Sequence, residues 1–290
     1  MPKNAITVDG KRRINLEKCD PASTAHFKKK SHAEKTLQSC ARQIGLLQDV
    51  LFARKMHMVL VILHGTDTSG KSSVINYVFR EIHPAGCAVT SFKAPSAEEL
   101  DHDYLWRCIK ELPRRGHIGV FDRSYYEELS VVRVHPEFLT KQRIPEDVRP
   151  KNIWRTRAKE IMNFERYLYR NGVVVIKFFL NLSREEQGKR FRKRMVNRSK
   201  NAKFAAADLS ESKRWEDYRR ANQDLINRTA TAHAPWYILP ADHKWVTRAL
   251  AAEIVAERLQ SLGLRYPTMS AKERRENLAL IEEMYPQRKK

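Results

Sequence analysis

A chain of 290 residues with 42% hydrophobic content is long enough to bury one sizeable core, with room for a lid or terminal extensions, and reads as one domain. Its 55 Lys and Arg outweigh 34 Asp and Glu, and the net charge of +21 calls for a polyanionic partner: nucleic acid, an anionic membrane surface or a phosphate-rich substrate. Cys19, Cys40, Cys87 and Cys108 have no paired C-x-x-C spacing, which argues against a zinc site or a disulfide framework and fits reduced thiols in a cytoplasmic enzyme.

Residues 1–30 mix charge with few large apolar residues and are expected to form a poorly packed N-terminal arm. Ser31 with Glu34 makes a capping box, and Leu37, Ile44, Leu47 and Leu51 then recur at helical spacing, an apolar stripe for the core or a dimer contact. Met58 to Leu63 is a continuous run rich in Val, Ile and Leu, the pattern of a strand buried on both faces. A glycine loop separates it from a helix over Ser72 to Ile82, which His83-Pro84-Ala85-Gly86 ends. Cys87 to Phe92 reads as a second strand. Pro95-Ser96 with Glu99 opens a helix running through Leu112, and His117 to Phe121 is a third strand ending in Asp122-Arg123-Ser124.

Residues 151–171 form a long helix, Val173 to Leu180 a fourth strand in which Lys177 breaks the apolar run well short of membrane-spanning length. Ser183 with Glu186 caps a very basic helix, and Leu209 to Ile226 is helical again. Trp236 to Leu239 gives a fifth strand, Trp245 to Leu262 a closing helix, and the tail over 265–290 one more charged helix at most. The start of the chain has no signal-peptide pattern, and no membrane partner is expected. Five strands alternating with helices predict an α/β fold of three layers, α/β/α, around a five-stranded parallel sheet, with the ligand at the carboxyl ends of the strands. The domain spans 31–264, with a lid at about 184–210.

Chemistry concentrates after the first strand. Gly65, Gly70, Lys71 and Ser72 fit G-x-x-x-x-G-K-[ST], a loop whose backbone N–H groups curl around a phosphate while the lysine reaches its terminal oxygens. Thr66, Thr68, Ser69 and Ser73 complete this phosphate-binding stretch. Asp67 sits inside it, and a carboxylate beside bound phosphate is repelled unless a cation lies between, so magnesium is expected there. An apolar strand ending in Asp122 has the form of the second nucleotide-binding motif, a metal carboxylate, although an aspartate there also serves as a helix cap. Arg123 beside it is suited to neutralise a transferring phosphoryl group or to make a surface ion pair. Glu127 joins the metal shell or is an ordinary helix residue.

Between Arg184 and Lys203 nine basic residues stand against Glu185 and Glu186, with Arg190 and Arg194 on one helix face. The segment is a solvated face or, by analogy with phosphate-loop kinases, a lid whose arginines close over phosphates. None of His64, His83 and His233 has ligand spacing to another, and no chemistry is assigned to them. The five tryptophans do not interleave with the basic cluster, which weighs against single-stranded nucleic acid as the ligand.

These residues resemble the polyphosphate kinase 2 family, enzymes with a thymidylate-kinase-like P-loop kinase fold. The likeness rests on GTDTSGK (65–71), Pro95-Ser96, DYLWR (103–107), FDRSYYE (121–127), VVRV (131–134), Phe164-Glu165-Arg166, EEQ with Arg190-Phe191, Lys203 with Asp208-Leu209, RWEDY (214–218), HAPWY (233–237) and PAD (240–242). It implies phosphoryl transfer between inorganic polyphosphate and nucleotides, ADP to ATP, with AMP to ADP and GDP to GTP in a subgroup to which DYLWR, Glu127 and Arg133 of VVRV point. It further implies that Asp67 and Asp122 organise Mg2+, with Mn2+ a substitute, that Lys71 and Arg123 bind the transferring group, and that Arg190 and Lys203 act from the lid; Arg194, on the same basic face as Arg190, is a candidate phosphate ligand. A homo-oligomer, dimer or tetramer, is part of the same expectation. The chain departs from the family at Ser72, which restores an ordinary phosphate-loop hydroxyl, and at Ala202 and Ala205-Ala206 in the lid. Two rivals share the motifs: an ATP-dependent nucleotide kinase, and a nucleic-acid-binding phosphate-loop protein.

Overall fold

A computed structural model describes residues 5–197 and 206–286. Its strands are β1 (Ile6–Val8), β2 (Met58–His64), β3 (Cys87–Ser91), β4 (Ile118–Asp122), β5 (Val173–Asn181) and β6 (Trp236–Pro240). They form one sheet in the order β1-β6-β5-β2-β4-β3. The helices are α1 (Lys30–Arg54), α2 (Lys71–Val78), α3 (Ala97–Leu100), α4 (Trp106–Lys110), α5 (Val131–Val134), α6 (Ile153–Arg170), α7 (Arg184–Val196), α8 (Ala206–Lys213), α9 (Trp215–Thr229), α10 (Lys244–Gln260) and α11 (Ala271–Met284).

The apolar run of β2 is buried on both sides because strand side chains alternate. Val59, Val61 and Leu63 pack into a core with α1, α2 and α10, whereas Leu60 and Ile62 pack into another with α6 and α9. These are the three expected layers.

The sheet has six strands, not five, and it is mixed. Strands β3, β4, β2, β5 and β6 run parallel, and β1 pairs antiparallel with β6 in the register Ile6 to Ile238 and Val8 to Trp236. Three residues, of which only Val8 is buried, carry too little pattern to be read as a strand. The N-terminal stretch is also better packed than expected: Leu16 is 4% exposed and Phe27 1%, one in each core. The helix expected over Leu209 to Ile226 breaks at Arg214, whose Nη1 donates to the Val134 carbonyl at 2.9 Å. Among the described residues no helix is long and apolar enough to cross a membrane.

One consequence of this order positions the chemistry. From β2 the chain crosses to β3 and β4 on one side, then to β5 and β6 on the other, so a crevice opens at the carboxyl end of β2. Register sets Leu63 of β2 level with Asp122 of β4.

Candidate active site

The loop Gly65–Ser73 leaves β2 and enters α2. Gly65 has φ +148°, and a Cβ there would sit 2.9 Å from the Leu180 carbonyl oxygen, so only glycine fits. Thr68 (φ +65°) and Arg123 (φ +69°) hold the left-handed conformation despite their side chains, local strain of roughly 1–2 kcal/mol each. Lys71 folds back over the loop, its Nζ donating to the carbonyls of Gly65 (2.9 Å) and Thr66 (3.3 Å). The hydroxyl oxygens of Thr66, Thr68 and Ser69 are buried with no hydrogen-bond partner. Buried polar groups ordinarily find partners, so this hydroxyl set is matched to a ligand rich in oxygens.

Two cavities meet at this loop. The larger, about 400 Å3, is a trough lined by Thr68 to Ser73, by Asp122 and by seven cations: Lys71, Lys93, Arg123, Arg190, Lys193, Arg194 and Lys244. The smaller, about 60 Å3, is a chamber lined by His64, Glu127, Ser130, Gln187, Glu211, Trp215, Tyr218 and Asn222. Asp67 and Arg123 line both, joined by an Arg123 Nη2 to Asp67 Oδ1 contact of 2.7 Å.

The charges here are interdependent. Burial pushes the Lys71 ammonium below the ordinary lysine range, and Arg123 adds to that push against the pull of Asp122, Asp67 and Glu127. Burial also opposes the charge on Arg123, but Glu127, Asp67 and Asp122 outweigh it and hold the guanidinium protonated. For Glu127 burial opposes ionisation; hydrogen bonding and charge from His64, with Arg123 and Lys71, overcome it and leave the carboxyl below its usual range. His64 is buried, with Nε2 2.8 Å from Asn222 Oδ1 and Nδ1 3.4 Å from Glu127 Oε1.

The expected residues sort into three groups. Asp67, Lys71, Asp122, Arg123 and Glu127 converge on the junction, and Ser72, Ser73 and Arg194 line the trough. Arg190 is present in another capacity. Its Nη1 donates to the carbonyls of Thr68 (3.0 Å) and Ser69 (3.1 Å), its Nη2 to those of Ala241 (2.6 Å) and Asp242 (3.0 Å), and its Nε to Glu186 (2.8 Å). All five donors of the guanidinium are spent, four on backbone, so Arg190 clamps the phosphate loop to the turn after β6 and does not reach over it as a lid arginine would. Arg133 pairs with Asp224 of α9 and lines neither cavity. Lys203 lies outside the described residues.

The sequence singles out neither Lys93 and Lys244 in the trough, nor Arg248, whose Nε donates to Ser73 Oγ at 2.8 Å, nor Glu211 and Asn222 in the chamber; Lys193 stands there only inside the basic run, Gln187, Trp215 and Tyr218 only inside the motifs EEQ and RWEDY, and His64 without a chemical role. Gln187 docks α7 on the loop through the Asp67 carbonyl at 3.1 Å. Trp215, Tyr218 and Asn222 recur at helical spacing on α9, but only the fold brings that face to His64 and Gln187.

Asp67 and Asp122 suit a divalent cation only in part. Among the described residues no group of three or more His, Cys, Asp or Glu could hold a metal ion, so an ion here would take its remaining ligands from phosphate and water, the habit of magnesium.

The sequence profile of polyphosphate kinase 2 matches residues 27–263. The ADP-polyphosphate phosphotransferase of Rhodopseudomonas palustris is 40% identical over 273 residues, 94% of each chain. The AMP/ADP-polyphosphate phosphotransferase of Meiothermus ruber is 37% identical over 268 residues, covering 92% of this chain and 96% of that one. The crystal structure of polyphosphate kinase 2 from Arthrobacter aurescens TC1 superposes with a TM-score of 0.83 at 33% identity, covering 93% of both chains.

Proposed function

Because the chain belongs to the polyphosphate kinase 2 family, we propose that the two cavities are its two substrate sites and that phosphoryl groups pass between them at Asp67 and Arg123. The reaction is phosphoryl transfer between inorganic polyphosphate and nucleotides. The observation that carries the division of sites is that the ion pair of Asp67 with Arg123 is the shared wall of a strongly cationic trough and a mixed, aromatic chamber.

Polyphosphate has no base or sugar to recognise, only about one negative charge per phosphate. A groove for it needs many cations and little shape readout, which describes the trough. Loop amides, the orphan hydroxyls and Lys71 hold the terminal phosphates; Arg123 neutralises the group in flight; the acceptor phosphate enters from the chamber, where Trp215 and Tyr218 offer aromatic faces. Nucleoside diphosphates and monophosphates are the acceptors, ADP and AMP foremost and GDP also. Asp67 and Asp122 would hold Mg2+, or Mn2+ in its place, and the ion when bound supplies positive charge between carboxylate and phosphate oxygens.

The chamber, at about 60 Å3, is far below the roughly 300 Å3 that a small-molecule site needs, so acceptor entry requires a wall to move. Arg190 and Gln187 fasten α7 to the phosphate loop, whereas α8 contributes Glu211 and Ser212 to the chamber. Helix α7 is therefore the fixed part of the lid, and the wall that gives way is on the α8 side of the chamber. The enzyme works in the cytoplasm.

Incubating the protein with Mg2+, polyphosphate and, separately, AMP, ADP and GDP tests this directly. ATP formed from ADP without another donor is the expected product, and EDTA abolishes it. An ATP-dependent nucleotide kinase would make ATP from ADP only with an equal amount of AMP and equally well without polyphosphate, and that result would overturn the assignment.

A further inference from the structure

We propose that His64 is a positioning residue for the reaction: it holds the Glu127 carboxylate at the chamber wall and so leaves the Arg123 guanidinium free to meet phosphate. This rests on the reading of the chamber as the acceptor site. His64 ends β2, directly before the phosphate loop, and is 2% exposed. Its ring is wedged among Tyr126, Phe179 and Trp236, with centroids 6.1–6.4 Å away, which fixes the direction of both nitrogens.

The two nitrogens have different duties. Nε2 lies 2.8 Å from Asn222 Oδ1, which also accepts from Ser130 Oγ at 2.9 Å. A carbonyl oxygen has no proton to give, so Nε2 carries the hydrogen and donates. Nδ1 is sealed from water and has no partner but the Glu127 carboxylate, whose Oε1 lies 3.4 Å away. A proton shared between Nδ1 and Oε1 completes that contact. The neighbouring carboxylate of Glu128 is closed instead by Arg157 (3.0 Å) and Gln142 (3.0 Å), so Glu127 alone of the two answers to His64.

The charges around Glu127 show what it does when it is not held. Burial works against the charge on Arg123, and of the three carboxylates that outweigh burial Glu127 acts most strongly, ahead of Asp67 and Asp122. Released from His64, Glu127 turns to that guanidinium and competes with Asp67, whose 2.7 Å contact with Arg123 is the shared wall of trough and chamber. A guanidinium tied by carboxylates on both sides has fewer donors left for a phosphate in transit.

Two substitutions separate the nitrogens. The amide of His64→Asn reaches Glu127 as Nδ1 does but not Asn222, and that of His64→Gln reaches Asn222 as Nε2 does but not Glu127. His64→Gln should raise KM for ADP and lower kcat, together about thirtyfold in kcat/KM, with KM for polyphosphate within about twofold because the other cations of the trough are untouched. His64→Asn should recover kcat/KM to within about threefold of the native enzyme, although its denaturation midpoint is the lower of the two because it gives up the buried bond to Asn222. Activity and stability then rank the variants in opposite order, which a merely structural histidine would not produce. Glu127→Gln removes the charge that turns on Arg123, so in that background His64→Gln should cost less than about twofold. Equal kcat/KM in the Asn and Gln variants, or an undiminished cost in the Glu127→Gln background, overturns the proposal. ATP formation by the native enzyme from ADP and polyphosphate is read separately, so failure here leaves the assigned reaction untouched.

Discussion

Lys71 and Lys177 are both buried, and burial pushes both ammonium groups below the ordinary lysine range, yet one belongs to an open site and the other to a closed one. Lys177 of β5 is 0% exposed and spends its three donors on Glu165 Oε2 (2.7 Å), Tyr126 Oη (2.9 Å) and the Thr229 carbonyl (2.9 Å). Glu165 is closed in turn, its Oε1 accepting from the hydroxyls of Tyr125 (2.9 Å) and Tyr126 (2.6 Å). Lys71 makes two bonds to loop carbonyls and stands on the trough beside Arg123 and hydroxyls that have no partner. Burial alone does not mark a functional lysine. The distinction is whether the surrounding polar atoms are all satisfied.

The closed pair is still tied to the chemistry. Tyr125 and Tyr126 open the turn Tyr125–Glu128, directly after Asp122 and Arg123, so the Lys177 network pins the backbone that presents Glu127 to His64.

Lys177→Met should produce the largest effect. It strands the Glu165 carboxylate in the core and should cost about 3–5 kcal/mol of stability, read as a lowered denaturation midpoint. Lys177→Met with Glu165→Leu removes both charges and should recover most of that loss; a double variant as unstable as the single would break the comparison. Lys71→Ala should do the reverse. Turnover falls by about 10²–10³, or about 2.7–4 kcal/mol of barrier, while the denaturation midpoint holds or rises, because a buried cation is removed from an unfinished site. Asp122→Asn belongs with Lys71→Ala, and near-normal turnover in both would mean the site is elsewhere.

Arg190→Lys lies between the two classes, because Arg190 bonds like the closed lysine but to the loop of the open one. Three ammonium donors cannot serve four carbonyls, so roughly 1–3 kcal/mol of stability and about tenfold in turnover should go together. A loss of turnover with unchanged stability would return Arg190 to the role of a phosphate ligand.

What could be read from the chain alone follows the same division. The phosphate loop is legible because its chemistry is local: Gly65, Gly70, Lys71 and Ser72 must be spaced as they are for one strand to turn into one helix around an anion. Asp122 is legible as the polar end of an apolar strand. The chamber is not, since His64, Glu127, Gln187 and Asn222 come from four elements that only the sheet order brings together. Lys177 registered as a break in an apolar run, because its partner Glu165 is on another element and the pairing leaves no periodic trace. Arg190 reads from the chain as a lid arginine, and only the fold reveals that its donors face backbone. Strand β1 failed for want of length, the antiparallel pairing being supplied by β6.

The smallest expected effect extends the comparison to groups of the opposite charge sense. Burial favours whichever form is neutral, so the influence that lowers the two lysines raises the thiols, Cys87 to about 11 and Cys40, beside Glu253 and Glu257, also to about 11. At pH 8 such a thiol is ionised to roughly one part in a thousand, against about one part in ten for a cysteine at its ordinary 9.0, and the thiolate is the reactive species. Iodoacetamide should therefore label the native enzyme about a hundredfold more slowly than a free thiol, with no loss of turnover over that interval. Rapid labelling of Cys40 or Cys87 would mean that burial counts for less at the edges of the core than at Lys177, and the common cause assigned to lysines and thiols would have to be given up.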